Sequence, residues 1–240
     1  MATQYKTKAF VFKKSARNEA DRVFSVFSND FGRLDIFAKA IRKINSKLRR
    51  DFDIFYLSEI EFVQGKSHKT LIDATKIKKF DNISKDFKKL KTVYKVSDIL
   101  DNFLKGQEKD SQTFDLLVEF FNKLEDGSFK EKNHQLAYQY FFWNFVSLQG
   151  YKLEVNNCAT CRAKLNPYKV YFSGKEGGII CDQCLDSDKR VQRINSDIVK
   201  VLRIILKKDW GTLSKLKIEP ASQQLLSVVS ENAANSFCPN

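Results

Sequence analysis

Cys158 and Cys161 form one C-x2-C pair, and Cys181 and Cys184 form a second, with residues 162–180 between them. Two such pairs at this separation are the sequence form of a four-thiolate metal site. Each pair makes a tight turn that aims both sulfurs at one ion, and the intervening hairpin brings the turns together. Gly174, Gly177 and Gly178 suit the hairpin turns, and Tyr168, Val170, Tyr171 and Phe172 suit a short strand. Four thiolates fill a tetrahedral shell, whereas a catalytic metal keeps one position open for water. The expectation is a structural Zn2+. Two disulfides, or an empty remnant of such a site, are the competing readings. Cys238 has no partner at ligand spacing and reads as incidental.

The second group of residues with chemistry to offer is basic. Lys39, Arg42, Lys43, Lys47, Arg49 and Arg50 follow one another with no acid between them, and Lys13, Lys14, Arg17 and Arg22 gather around an earlier turn. Such cations neutralise phosphates and release their counterions, which gives salt-sensitive binding to nucleic acid. The expected DNA-binding residues are Arg17, Arg22, Lys39, Arg42, Lys43, Lys47, Arg49 and Arg50. Phe37 and Tyr56 are candidates for stacking on bases. A solvated charged loop is the bland alternative.

Catalytic machinery is not apparent. The sequence has no GxxxxGKS/T, GxGxxG, GxSxG or HExxH motif. Its acidic residues are scattered singly, unlike a two-metal nuclease site. His68 and His134 are the only histidines and read as surface residues. The chain is therefore expected not to be an enzyme.

The elements that must carry these residues fall into zones. Residues 1–80 read as β, with strands expected at Tyr5–Lys14, Val23–Ser28, Leu34–Lys39 and Thr70–Ile77. A fifth is expected where Phe52, Ile54, Tyr56, Ile60 and Phe62 alternate with their neighbours. Five short strands without a long helical period fit an OB-fold β-barrel. Residues 81–150 read as helical. Phe87, Leu90, Val93, Tyr94, Leu100, Phe103 and Leu104 form one stripe behind a Ser84 cap. Phe114, Leu117, Val118, Phe121 and Leu124 form another behind Ser111 or Asp110. Leu136–Leu148 is apolar nearly all round, before a stop at Gly150. Residues 151–190 hold the zinc-binding insertion. Residues 191–240 resume the helical pattern, with Pro220 at a helix start and a loose end from Ser236. The expected class is α+β multidomain, an OB-fold barrel followed by a mainly helical domain with an embedded four-cysteine knuckle.

The formal net charge of +13 favours a polyanionic partner. Lysine codon bias in an AT-rich genome is a rival source of charge, but the gathering of Arg17, Arg22, Arg33, Arg42, Arg49 and Arg50 near one end is harder to assign to it. No signal peptide or membrane-spanning run is visible, so a cytoplasmic protein with reduced cysteines is expected.

Four stretches resemble the bacterial RecO family. Asn18-Glu19-Ala20-Asp21-Arg22 leads into Val23–Ser28, and Phe31-Gly32-Arg33-Leu34 leads into Ala38-Lys39-Ala40-Ile41-Arg42. Ser46-Lys47-Leu48-Arg49-Arg50 follows, and Gly177-Gly178-Ile179-Ile180-Cys181 closes on Cys184. Together they run in family order over nearly the whole chain. Ala40 departs from the pattern, because the family usually has glycine there. The resemblance implies an N-terminal OB domain, a helical domain with a zinc site, and a nucleoid-associated role in recombinational repair. It implies binding of single- and double-stranded DNA and annealing of complementary strands. It also implies action with RecR to load RecA on strands coated by single-strand-binding protein, whose acidic C-terminal tail is recognised. A zinc-containing RNA-binding or translation-associated protein, a nucleic-acid-modifying enzyme and an assembly scaffold are the rival readings.

Overall fold

The computed structural model describes residues 3–127, 134–185 and 191–237. The chain divides into two compact units, Met1–Asp126 and Gly127–Asn240.

The first unit opens with β1 (Gln4–Ala16), β2 (Arg22–Ser28), β3 (Gly32–Ala38), a one-turn helix α1 (Leu48–Asp51), β4 (Tyr56–Gln64) and β5 (Lys69–Lys79). The five strands close into a barrel in the order β1-β2-β3-β5-β4. All pairings are antiparallel except the short parallel seam Ile36↔Lys69 and Phe37↔Thr70. Alternation along each strand fills the barrel with Ala9, Val11, Phe24, Val26, Leu34, Ile36, Ile60, Phe62 and Leu71.

The other face of β1 is apolar as well, because helices cover it. These are α2 (Asp81–Ser84), α3 (Phe87–Phe103) and α4 (Ser111–Glu125). The ring of Phe121 lies 4.2 Å from Phe10 and 5.2 Å from Phe80 between centroids. Burial of such a ring contributes about 1.5–3 kcal/mol. Arg33 on β3 ties the end of α3 to the barrel. Its guanidinium donates to the Asp101 carboxylate at 2.6 Å and to the carbonyls of Asp101 and Leu104. At Gly32, φ is +62°, and a Cβ there would meet the Glu108 carbonyl oxygen at 2.1 Å, so only glycine fits.

Several sequence expectations need correction. Phe52 and Ile54 do not lie on the fourth strand, which begins at Tyr56. Phe55 adopts φ +62° just before it, and that left-handed residue breaks the alternation. Helix α3 is capped by Asp86, which accepts from the Lys88 and Lys89 amides; Ser84 instead ends α2. On α3, Val93, Val96, Ile99 and Leu100 face inward, while Phe87 and Tyr94 are 81% and 50% exposed. Asp110 caps α4.

The second unit is built on α5 (His134–Leu148), which is buried nearly all round. A three-stranded sheet follows, β6 (Val170–Ser173), β7 (Gly178–Cys181) and β8 (Val191–Ile194), ordered β7-β6-β8. Then come α6 (Ser196–Leu206), α7 (Trp210–Lys215) and α8 (Pro220–Phe237). Gln139 links α5 to α8 by donating to the Ser230 hydroxyl and accepting from the Trp143 indole. His134 is buried at the start of α5 rather than on the surface, because the helix it begins is the centre of the bundle. Ser236 and Phe237 belong to α8 rather than to a loose end. Cys238 and the rest of the expected loose end lie outside the described residues. Among the described residues no helix is long and apolar enough to cross a membrane.

Candidate nucleic-acid interface and metal centre

Arg22, Arg42 and Arg49 come together around one recess of about 360 Å³, with Lys14 beside them and Phe24, Ile41 and Phe52 also lining it. The fold explains the convergence. Arg22 stands two residues before Phe24 on β2, so it leaves the strand on the same side as a barrel-core residue, near the strand's beginning. Phe52 follows α1 and packs edge-on against Phe24, with centroids 4.8 Å apart. That contact holds α1, and with it Arg49, over the end of β2. The loop carrying Arg42 is fastened to the β1–β2 turn: the Arg42 amide donates to the Ala20 carbonyl at 3.1 Å and the Ala40 amide to the Asp21 carboxylate at 2.7 Å. Among the described residues one acid lines the recess, Asp53, and its carboxylate accepts from Lys14 at 2.7 Å. The surplus charge is strongly positive.

Hydrogen bonds from the Ala40 amide and the Asn18 side chain hold the Asp21 carboxyl below its ordinary range, so it remains an anion able to anchor the loop. Ala40 itself adopts φ +55°. A left-handed conformation costs a residue with a Cβ roughly 1–2 kcal/mol, while glycine gives back about 0.4–1 kcal/mol through its freer unfolded chain. Ala40→Gly is therefore expected to stabilise the first unit by up to about 1 kcal/mol. Chemical denaturation of the two proteins checks this, and an unchanged or lower midpoint contradicts it.

Lys39, Lys43, Lys47 and Arg50 are exposed on the same loop and one-turn helix but do not line the recess. Arg17 is placed elsewhere. It borders a separate groove of about 400 Å³ with Phe37, His68, Lys69 and Arg33. Its guanidinium carbon lies 5.8 Å from the centroid of the Phe37 ring, and His68 meets the same ring edge-on at 5.0 Å. Of the proposed stackers, Phe37 thus already carries two neighbours, and Lys76 stands 5.9 Å over Tyr56. Sequence reasoning left Phe24, Ile41, Phe52 and Asp53 out of any site. Their apolar and acidic types carry no binding signal until folding surrounds them with cations.

The four cysteines of the second unit do converge. Their sulfurs all lie within 4.8 Å of one another, and those of Cys161 and Cys181 are 3.8 Å apart. A tetrahedral ion at about 2.3 Å from each thiolate sets neighbouring sulfurs roughly 3.8 Å apart, so the donor set fits a metal ion. The first turn is held by the Cys158 amide, which donates to the Ala163 carbonyl at 2.8 Å, and by Arg162, which takes φ +64°. The second pair sits where β7 ends and a 3-10 turn, Asp182–Cys184, begins. Gly178 lets the two halves meet: a Cβ there would stand 2.4 Å from the Glu154 carbonyl oxygen.

Burial opposes ionisation of Cys158, but amide hydrogen bonds from Cys161, Cys181 and Thr160 bring its thiol down to about 6. The hydrogen bond to Cys161, then burial and the other sulfurs, push Cys184 up to about 12, and burial raises Cys181. Four adjacent thiolates therefore need a cation to coexist, and a metal bound there would supply it. The knuckle is anchored on the helices of its unit. Arg203 on α6 donates to the Val155 carbonyl at 2.9 Å, and Trp143 on α5 packs against Phe172 on β6 at 5.7 Å.

Comparison with known proteins agrees with both units. Residues 1–80 match the family described as Recombination protein O N terminal, and residues 84–232 match Recombination protein O C terminal. A DNA repair protein RecO from Dehalococcoides mccartyi is 31% identical over 214 residues, covering 89% of this chain and 83% of the relative. One from Desulforamulus reducens is 26% identical over 226 residues, covering 94% and 86%. One from Caldanaerobacter subterraneus is 26% identical over 215 residues, covering 89% and 84%. With both halves of the chain matched in order, and relatives aligned along most of its length, the chain belongs to the RecO family.

Proposed function

We propose that this chain is a recombination mediator in DNA repair. It binds single- and double-stranded DNA through the first unit, anneals complementary strands, and acts with RecR to help RecA load on strands coated by single-strand-binding protein, whose acidic tail it recognises. The observation that carries the reading is the recess where Arg22, Arg42 and Arg49 converge beside Lys14, in a chain whose relatives bear the name DNA repair protein RecO. Lys39, Lys43, Lys47 and Arg50 extend the contact to neighbouring phosphates, and Arg17 holds phosphate from its own groove. Neutralising two strands at once lowers their mutual repulsion, so annealing needs no bond chemistry.

Cys158, Cys161, Cys181 and Cys184 would hold zinc, which supplies a cross-link within the knuckle rather than a reactive centre. The decisive experiment anneals two complementary oligonucleotides precoated with the cognate single-strand-binding protein. Acceleration of at least tenfold, fading as salt rises, is expected. No acceleration by folded, metal-loaded protein would refute the mediator role.

A further inference from the structure

We propose that the apolar pocket beside the cationic recess receives one unstacked nucleobase of a single strand whose phosphates lie in the recess. The inference rests on the DNA-binding reading above and adds to it a preference for unpaired strands. The pocket holds about 230 Å³ and is walled by Phe55, Tyr56, Phe80, Ile83, Leu90 and Tyr94. Asp53 lines both the pocket and the recess, so the two adjoin. Small-molecule sites run from about 300 Å³ upward. A cavity below that range suits a single flat ring system.

Its walls are suited to stacking. Tyr94 is half exposed on α3, and its ring meets Phe55 edge-on at 5.2 Å. Phe55 is fixed there by its left-handed backbone and by its amide, which donates to the Val11 carbonyl at 2.7 Å. The rim carries both charges, Lys79 paired with Asp81 at 2.7 Å and Lys76 with Asp51 at 3.5 Å, so the cations that hold the strand are those of the adjoining recess. Lys79 lines the pocket, and Lys76 stands over the Tyr56 ring. A base can enter only when it is out of the stack, and an intact duplex offers none without the cost of unpairing.

The test compares the full chain with Tyr94→Ala and Tyr94→Phe on a single-stranded oligonucleotide containing one 2-aminopurine, and on the same oligonucleotide in duplex. Tyr94→Ala is expected to weaken single-strand binding on the order of tenfold, the loss of one stacked base. It should abolish the 2-aminopurine fluorescence change and leave duplex affinity within about twofold. Tyr94→Phe should behave as the parent, and matching thermal melting guards against misfolding. Equal losses on single strand and duplex would overturn the proposal. So would unchanged single-strand affinity and fluorescence, which would leave the pocket to a side chain of a partner protein. Neither result touches the recess, whose own charge reversal removes binding to both forms of DNA.

Discussion

Reversing Arg22, Arg42 and Arg49 to glutamate is expected to weaken DNA binding by several hundredfold at about 0.1 M salt. Each phosphate neutralised on a duplex contributes roughly 0.9 to the slope of log K against log salt. Relative to about 1 M salt, that is a factor of roughly eight per contact at 0.1 M, so three lost contacts multiply to about five hundred. Reversal adds repulsion to the loss. The slope should flatten by about three, which separates lost phosphate contacts from a general weakening. Arg42 and Arg49 are exposed and Arg22 is half-buried at a strand end, so the barrel core is untouched. Anisotropy titrations of parent and variant at four salt concentrations give both numbers. Parallel lines with equal intercepts would remove the recess from the interface.

The second large effect belongs to the cysteines. If the four cysteines hold zinc as proposed, Cys158→Ser is expected to abolish its binding and to lower the melting temperature of the second unit by more than about 10 °C. Structural zinc contributes about 10–16 kcal/mol of apparent binding energy in zinc-finger peptides, comparable with the total 5–15 kcal/mol that holds a typical domain. Losing even a quarter of that exceeds what most single substitutions do. Cys158 is fully buried, and its sulfur accepts the Cys181 amide at 3.4 Å, so serine there also disturbs the junction between the two turns. Metal content by elemental analysis and melting by circular dichroism report the result. Full zinc with unchanged melting would refute the four-cysteine assignment. Binding must expel protons, chiefly from thiols such as Cys184 that are held protonated near pH 7, so affinity should fall as pH falls.

The parts of this protein that were legible in its sequence are those set by short-range pattern. The cysteine pairs announced themselves because ligand spacing is local, and the structure brings their sulfurs together. Period-2 alternation located the barrel strands because one face of each must be buried. Where a single residue departs from the regular backbone, the pattern misled. Left-handed Phe55 detaches Phe52 and Ile54 from the strand they mimic. Phe87 and Tyr94 fall off the buried stripe of α3, since apolar type does not say which way a helix is turned. The cationic segment was plain, but its division was not. Arg42 and Arg49 join Arg22 because Phe52 packs on Phe24 and the Arg42 amide bonds to the Ala20 carbonyl, contacts between residues distant in sequence, while Arg17 falls to another groove. No local count shows that.

The barrel's strand order has a consequence for how the chain comes into being. β1 is synthesised first but pairs on one side with β4, whose first residue follows some forty positions later. At about 5–20 residues per second, that edge waits several seconds for its partner. An unpaired apolar strand invites another nascent copy to pair with it. Lys6 and Lys8 stand exposed along β1, opposite Glu61 and Glu59 in the finished register, and Lys6 lies 2.9 Å from Glu59. Before β4 emerges, a second copy of β1 presents lysines and no acid, and like charges oppose the pairing. The ion pairs seen in the folded barrel are thus also a guard on the growing chain, discriminating the intended partner strand from a neighbour's identical one.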